Sequence, residues 1–242
     1  SGDLQNGVVG AALGQALRVL VTEDGDPLEA QVITWTAQQG SVSAGTSQTN
    51  ASGIATIVWT LGSAAGPQTA RAALAGADGS PVTFSATAAP DVPASLVEFA
   101  GANQTGVVNT AFSQQLQVKV TDQFNNPRTG IAVDWAVQSG PVTVGAASSV
   151  TNASGVASVT VNAGATAGAA VVRASAVTVA GVNVDYDLTV ILQPVEVEMG
   201  NIFFRSGRNN TTNPAVDTVQ AGQAARWTSL SGGHTVRSQG LP

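Results

Sequence analysis

The residues of this chain that could do chemistry are few, and the single histidine is the most distinctive of them. His234 follows two glycines and precedes Thr235, and the sequence contains no cysteine. A nucleophilic triad or a thiolate centre needs partners that this composition does not supply, so His234 would have to act alone. We therefore predict no catalytic residues, and we expect His234 to be an exposed loop residue.

Carboxylates offer a second possible chemistry, the binding of a cation. Glu196 and Glu198 lie on one face of a strand by the period of two, and the turn at 23–26 carries three carboxylates, with Asp122 in the related place of the second half. Calcium takes about six to eight oxygen ligands, and neither group offers that number at a regular loop spacing. We interpret them as solvated surfaces and predict no metal site and no cofactor.

The elements that must position such residues are indicated by composition. Only 10% of the 242 residues are charged, 27 are glycine, and 43% are hydrophobic, which is typical of alternating strands and tight turns. The net charge is −6 and the 9 basic residues are scattered, so we exclude nucleic acid as a partner. The apolar run 54–61 is far shorter than the roughly 20 residues that cross a bilayer, so we predict no transmembrane segment.

An internal repeat of about one hundred residues organises the chain. Leu17-Arg18-Val19-Leu20-Val21-Thr22 returns as Leu116-Gln117-Val118-Lys119-Val120-Thr121, and the strands that follow carry Trp35 and Trp135 at equivalent positions. The tetrapeptide Asn-Ala-Ser-Gly occurs in both copies. The order of these matches makes chance similarity improbable and indicates tandem domains.

Each copy alternates apolar and polar residues and is interrupted every 8 to 12 residues by Gly, Pro, Asn or Asp, which predicts an all-β sandwich. We expect Trp35 and Trp135 to fill the space between two sheets. The tetrapeptides Asn50 to Gly53 and Asn152 to Gly155 are predicted to form hairpin turns. Asn50 and Asn152 also stand in Asn-x-Ser/Thr sequons, which the structural role explains better than glycosylation.

The shared order is a strand, Val-Thr-Glu/Asp, a turn with Pro, a strand with Trp, Gly, Asn-Ala-Ser-Gly and an apolar strand. It resembles the bacterial immunoglobulin-like (Big-1) domains of the invasin and intimin type over residues 1 to 192. The resemblance implies tandem immunoglobulin-like β-sandwiches outside the cytoplasm that serve as stalks, adhesin modules or spacers. Its motifs are structural and not catalytic.

The two copies differ at their first strand. The second copy opens with the predicted strand 94–99 after the linker 89–93, whereas the first copy starts just after that point. We therefore expect the first domain to lack its leading strand. The open sheet edge that results could be filled by a partner strand.

The pattern changes after Pro194. A strand ending in Phe203-Phe204, a Val-x-Ala-Gly turn, Trp227-Thr228 and Gly-Gly-His-Thr-Val are similar to the N-terminal half of a plastocyanin-like cupredoxin. That resemblance implies that His234 corresponds to the family's first copper ligand. A blue-copper site also needs a second histidine and a cysteine thiolate, which the sequence lacks, so we do not expect His234 to bind copper alone.

These features predict an all-β chain of three parts. Residues 1-90 and 91-193 form Ig-like domains, the first without its leading strand, and 194-242 form a partial cupredoxin-like β domain. We expect a non-enzymatic, extracytoplasmic, membrane-extrinsic protein, periplasmic or on the cell surface, whose partners are other proteins. It would be a scaffold subunit that bridges or clamps a larger membrane assembly, for which a photosystem-type complex is one candidate host. The alternatives are a cell-surface adhesin or stalk fragment and a copper electron-transfer protein.

Overall fold

The computed structural model describes residues 1–193, together with the backbone of two later strands at 195–199 and 225–229. All regular structure in these residues is β, which confirms the predicted fold class. No helix occurs there, and hence none that is long and apolar enough to cross a membrane.

The first sandwich is built from the N-terminal eleven strands. They are β1 (Gln5–Val8), β2 (Leu17–Leu20), β3 (Thr22–Glu23), β4 (Asp26–Pro27), β5 (Val32–Ala37), β6 (Ser41–Val42), β7 (Thr46–Gln48), β8 (Ile54–Ile57), β9 (Trp59–Thr60), β10 (Gly66–Ala73) and β11 (Val82–Ala89). Five of them form one sheet in the order β1-β11-β10-β5-β7, and the others pair as β2-β8, β6-β9 and β3-β4.

The second sandwich repeats this plan with ten strands. They are β12 (Ser95–Ala100), β13 (Gln104–Val107), β14 (Leu116–Thr121), β15 (Ala132–Ser139), β16 (Val142–Val144), β17 (Ser148–Val150), β18 (Val156–Val159), β19 (Val161–Ala163), β20 (Gly168–Ser175) and β21 (Asn183–Ile191). Its five-stranded sheet has the order β13-β21-β20-β15-β17, opposed by β12-β14-β18 and β16-β19. The strand β12 has no counterpart in the described part of the first sandwich.

The period of two explains why these segments form half-buried strands. In β5, Ile33 and Trp35 point inward and are 1% and 2% exposed, while Val32 and Thr34, which alternate with them, face solvent. Successive side chains of a strand lie on opposite faces, so this alternation gives each strand one core face. Two separate hydrophobic cores result, one drawn from residues 9–88 and the other from residues 96–190.

The tetrapeptide turns differ from the prediction in one respect. Each closes with a hydrogen bond from a glycine N–H to an asparagine carbonyl, Gly53 to Asn50 at 2.8 Å and Gly155 to Asn152 at 2.9 Å. The strands on either side do not pair with each other, because β7 pairs with β5 whereas β8 pairs with β2. The prediction of a hairpin was therefore wrong: the turn carries the chain from one sheet to the other.

The C-terminal segment is described only at β22 (Val195–Met199) and β23 (Ala225–Ser229), which pair in parallel. Glu196 and Glu198 lie in the first of these strands. The expected cupredoxin-like arrangement of the rest, with His234, lies outside the described residues.

Candidate functional site: the junction between the sandwiches

The two tryptophans of the repeat occupy matching positions in the two cores. Trp35 and Trp135 are 2% and 3% exposed. Each indole N–H donates to a serine hydroxyl on the neighbouring strand, Ser47 at 2.8 Å and Ser149 at 2.9 Å. Burial of a tryptophan with its polar atom satisfied is compatible with a structural role for both residues.

The repeated turn is organised by its asparagine and its glycine. The side-chain oxygen of Asn50 accepts hydrogen bonds from Ser52 N–H and Ile54 N–H, and that of Asn152 makes the same two bonds in the second copy. Gly53 and Gly155 have φ of 68° and 75°, a region that glycine adopts without steric cost. The side-chain oxygens of both sequon asparagines therefore act in the fold.

The carboxylates of the two related turns have different environments. Glu23 and Asp26 face each other across the exposed β3-β4 hairpin, whereas Asp122 is 1% exposed. Within residues 1–193 and the two later strands, no group of three or more His, Asp or Glu side chains is placed to hold a metal ion. Asp122 is instead surrounded by hydrogen-bond donors.

Four donors converge on Asp122. Its Oδ1 accepts from the backbone N–H groups of Phe124 at 2.8 Å and Asn126 at 2.9 Å. Its Oδ2 accepts from the N–H of Asp91 and from the Asn126 side chain, both at 2.9 Å. Because Asp91 belongs to the linker, this carboxylate ties the connecting segment to the second sandwich.

The pKa of Asp122 is held below its ordinary value of 3.8 by these contacts. Burial acts in the opposite direction and is the largest single influence, but the hydrogen bonds from Asn126, Asp91 and Phe124 together outweigh it. Bonds that favour the ionised form lower the pKa of a carboxyl group. Asp122 is therefore a carboxylate at neutral pH. Its contribution to the stability of the junction is complete above pH 3.8, and it is lost as the pH falls below 3.8 and passes the lowered pKa of Asp122.

Asn126 carries the hydrogen bonding across to the first sandwich. Its side-chain N–H donates to Ser63 O at 2.8 Å as well as to Asp122, and its Oδ1 accepts from Ala65 N–H at 2.9 Å. Both amide hydrogens and the amide oxygen are thus engaged. In both bonds the partner in the first sandwich is a backbone atom, of Ser63 or of Ala65. The contact therefore depends on the backbone path of the 63–65 loop and not on its side chains.

Three further contacts complete the junction. Arg128 donates from Nη1 to Pro90 O at 3.0 Å, and the ring of Phe124 lies against Gly10, where an added Cβ would come within 3.2 Å of Cζ. Gln123 donates to the Asp91 side chain at 2.7 Å. The linker and both facing loops are therefore fixed by direct contacts.

The junction joins opposite ends of the two sandwiches. In the first sandwich Gly10, the 61–66 loop and Pro90 lie at one end, as the bond from Gly10 N–H to Gly62 O and the shared end of β1 and β11 show. The turn at 22–27 lies at the other end, because β2 runs antiparallel to β8. The related turn of the second sandwich, at 121–128, faces the 61–66 loop, so the two domains follow one another end to end.

No protein-family model matches the sequence, and no curated protein matches it. Solved structures do match. The chain is similar to tandem immunoglobulin-like domains of the invasin and intimin type.

Three solved structures illustrate the similarity. The D0-D1 domains of intimin share 20% identity over 78% of this chain and 94% of that chain, with a TM-score of 0.32. The adhesin InvE of Yersinia pseudotuberculosis shares 16% over 77% of this chain and 56% of that chain, with a TM-score of 0.37. Invasin, an integrin-binding protein of bacteria, shares 18% over 80% of this chain and 38% of that chain, with a TM-score of 0.39.

The chain spans about half of InvE and less than half of invasin. At such identities the comparison concerns the fold alone.

The junction residues Asp122, Asn126 and Arg128 were not singled out for this role by the sequence. The signal that could have found them is the difference between the two copies. The turn Thr22-Glu23-Asp24-Gly25-Asp26-Pro27 is one residue shorter than Thr121-Asp122-Gln123-Phe124-Asn125-Asn126-Pro127. The first copy has Asp26 before its proline, where the second has the amide of Asn126.

Proposed function

We propose that this chain is a non-enzymatic, extracytoplasmic protein whose paired sandwiches form a stiff spacer that presents protein-binding surfaces, as in a cell-surface adhesin or stalk. The observation that carries the proposal is the hydrogen-bonded junction at Asp122 and Asn126, which fixes the sandwiches end to end. A short, proline-containing linker held at both ends favours a rigid array over two freely moving domains. InvE, one of the proteins whose structure is similar to this chain, is described as an adhesin.

The domain boundaries that accompany the proposal are those expected from the repeat. Residues 1-90 and 91-193 would each fold around one core, and 194-242 would add a further β segment. Placement at the cell surface, as opposed to the periplasm, is part of the same proposal.

A second candidate is a scaffold subunit of a membrane-associated assembly, such as a photosystem-type complex. It relies on the same hydrogen-bonded junction and differs in requiring a fixed set of membrane proteins as partners. A copper electron-transfer site requires a thiolate and a second histidine, and this sequence contains neither.

Two measurements on the producing cells test the proposal. Antibodies against the purified chain should label intact cells, with a cytoplasmic protein of the same cells as the unlabelled control. Gentle detergent extraction followed by mass spectrometry should recover the chain without a fixed set of membrane proteins. Recovery at a constant ratio with such a set would overturn the stalk in favour of the scaffold subunit, and labelling only after lysis would overturn the surface location.

A further inference from the structure

The interior of the first sandwich holds a polar side chain at an inward position of β10, the amide of Gln68, which is 2% exposed. Its Oε1 accepts a hydrogen bond from Gly62 N–H at 2.7 Å. Its Nε2 donates to Ala64 O at 2.7 Å and to Gly62 O at 3.3 Å. All these bonds lead to the 61–66 loop, so Gln68 holds that loop from inside.

The second sandwich fills the same space without a polar atom. Gln68 lies opposite Ala86 across the β10-β11 pair, whereas the equivalent Ala170 lies opposite Leu188. A large and a small side chain have thus changed places, and both Ala170 and Leu188 are 2% exposed. Burying an amide costs free energy that burying hydrocarbon does not. What the glutamine adds to the first sandwich is therefore its hydrogen bonds to the loop.

A single peptide unit connects Gln68 with the junction. Gln68 Nε2 donates to Ala64 O, and the N–H of the same peptide unit, on Ala65, donates to Asn126 Oδ1 at 2.9 Å. In a planar trans peptide the C=O and the N–H point in opposite directions. The inner bond to Gln68 therefore turns the Ala65 N–H outward, to where Asn126 accepts it.

The corresponding loop of the second sandwich is held by a different partner. There Gly164 N–H donates to the backbone, at Pro141 O, over 2.7 Å. The equivalent Gly62 N–H donates to the side chain of Gln68. Ala170 has no polar group that could hold the loop from inside. The two sandwiches thus present differently organised loops at the same end.

We propose that Gln68 shapes the 61–66 loop into a receptor for an immunoglobulin-like domain whose turn carries an aspartate and, four residues later, an asparagine, as at Asp122 and Asn126. Residues 91–193 do not offer this receptor. One buried glutamine and one turn amide then select which domain docks on which. The inference rests on the proposed spacer function and identifies what selects the neighbouring domain. We call the 61–66 loop with Gln68 the receptor loop.

The first test uses the full 242-residue chain with Gln68→Ala and Ala86→Leu together, which copies the pair of the second sandwich and leaves the core filled. Hydrogen exchange at Ala65 N–H should become at least about tenfold faster, which corresponds to about 1.4 kcal/mol, because the peptide is no longer fixed. Exchange at Trp35 N–H, in the core strand β5, should stay unchanged and would establish that the sandwich folds.

A double-mutant cycle separates positioning from a merely structural role. In Asn126→Ala the Ala65 N–H has already lost its acceptor, so the paired change at residues 68 and 86 should add little to its exchange rate. A structural role for Gln68 would add the same factor in both backgrounds.

The selectivity is tested by giving the second sandwich a neighbour of its own kind. A further copy of residues 90–191 is placed directly after Ile191, which preserves the native linker. Asn109→Gly in the receiving copy matches Gly10, against which Phe124 packs in the native junction. Because the chain has no cysteine, spin labels can be attached at introduced cysteines. The distance distribution between the receiving and the added copy should be broad.

Grafting the receptor loop should restore order to that junction. In the receiving copy, residues 163–170 are replaced by the sequence of residues 61–68, Leu-Gly-Ser-Ala-Ala-Gly-Pro-Gln, which has the same length. Leu188→Ala makes room for the glutamine. The distance distribution should become as narrow as that between the two native sandwiches.

Three results would overturn the inference: an equal effect of the paired change with and without Asn126, a narrow distribution before the graft, or a broad one after it. Each of them leaves the native junction, and with it the stiff spacer, standing. A broad distribution between the two sandwiches of the wild type would instead overturn the spacer itself. The inference and the proposed function can therefore fail separately.

Discussion

Equivalent residues of the two copies act as natural controls for one another. Tyr186 is fully buried, and its hydroxyl donates to Gln117 O at 2.5 Å. The first sandwich has Phe84 at the same place in its core. The core thus accommodates the ring with or without a hydroxyl, and the bond of Tyr186 is an addition to shared packing.

Tyr186→Phe should lower the free energy of unfolding of the second sandwich by about 1 kcal/mol, the usual net value of one hydrogen bond. Burial, and secondarily the negative charge of Glu98, raise the pKa of Tyr186 above its ordinary value of 10.0. Stability from this residue is therefore complete below pH 10 and falls as the pH rises above it, because only the unfolded chain then ionises. Denaturant titrations of both proteins at neutral and alkaline pH would measure the difference.

Tyrosinate absorbance checks this directly, because Tyr186 is the only tyrosine of the chain. In the native protein it should appear only with unfolding. A double variant, Tyr186→Phe with Phe99→Tyr, places the phenol at a position that is 55% exposed and should titrate near pH 10 while folded. Free titration of Tyr186 near pH 10 in the folded wild type would contradict the assignment.

Glycines in the turns between strands affect the stability of the second sandwich. Gly140 lies between β15 and β16 with φ of 87°, and a Cβ there would lie 2.3 Å from Ala169 O and 2.4 Å from the Ala170 Cα. Gly130, before β15, has a similar φ of 77° but open space around it. The pair separates the cost of backbone conformation from the cost of a clash.

Gly130→Ala should destabilise the second sandwich by about 1–2 kcal/mol, the conformational penalty of a left-handed residue with a side chain. Gly140→Ala should cost several kcal/mol more, because backbone of β20 blocks the methyl group. Denaturant unfolding followed by tryptophan fluorescence would compare them. Equal effects would mean that β15 and β20 separate easily at this turn, contrary to the packing described.

The junction determines how the two sandwiches are arranged. Head-to-tail contact between opposite ends of two similar domains extends the array in one direction instead of closing it. The bonds of Asn126 to the 63–65 loop and of Asp122 to the linker hold that direction.

Asn126→Asp should loosen the array. It replaces the donor to Ser63 with an acceptor and sets a second carboxylate beside buried Asp122, where like charges repel. Asn125→Asp is the matched control, since it adds the same charge to an exposed side chain of the same loop. Spin labels on the two sandwiches should give a narrow distance distribution for the wild type and the control, and a broad one for Asn126→Asp. A narrow distribution in all three would show that the junction does not depend on this amide.

The residue pattern was enough to predict the all-β class, the two copies and the inward tryptophans. Hydrophobic alternation fixes which face of a strand is buried, and a repeated order of turns fixes the number of similar units. Both signals are local, and both survive in a single sequence.

The three-dimensional fold was needed to show where the repeated turn leads and which loop joins the domains. These depend on contacts with backbone hydrogen-bonding groups, which nearly every residue type carries, so side-chain pattern does not reveal their partners. Asp122 shows the difference most clearly: the sequence placed it with a turn of carboxylates, whereas the fold buries it among four donors. A carboxylate's role follows from the groups that surround it, and those groups come from segments far apart in the chain.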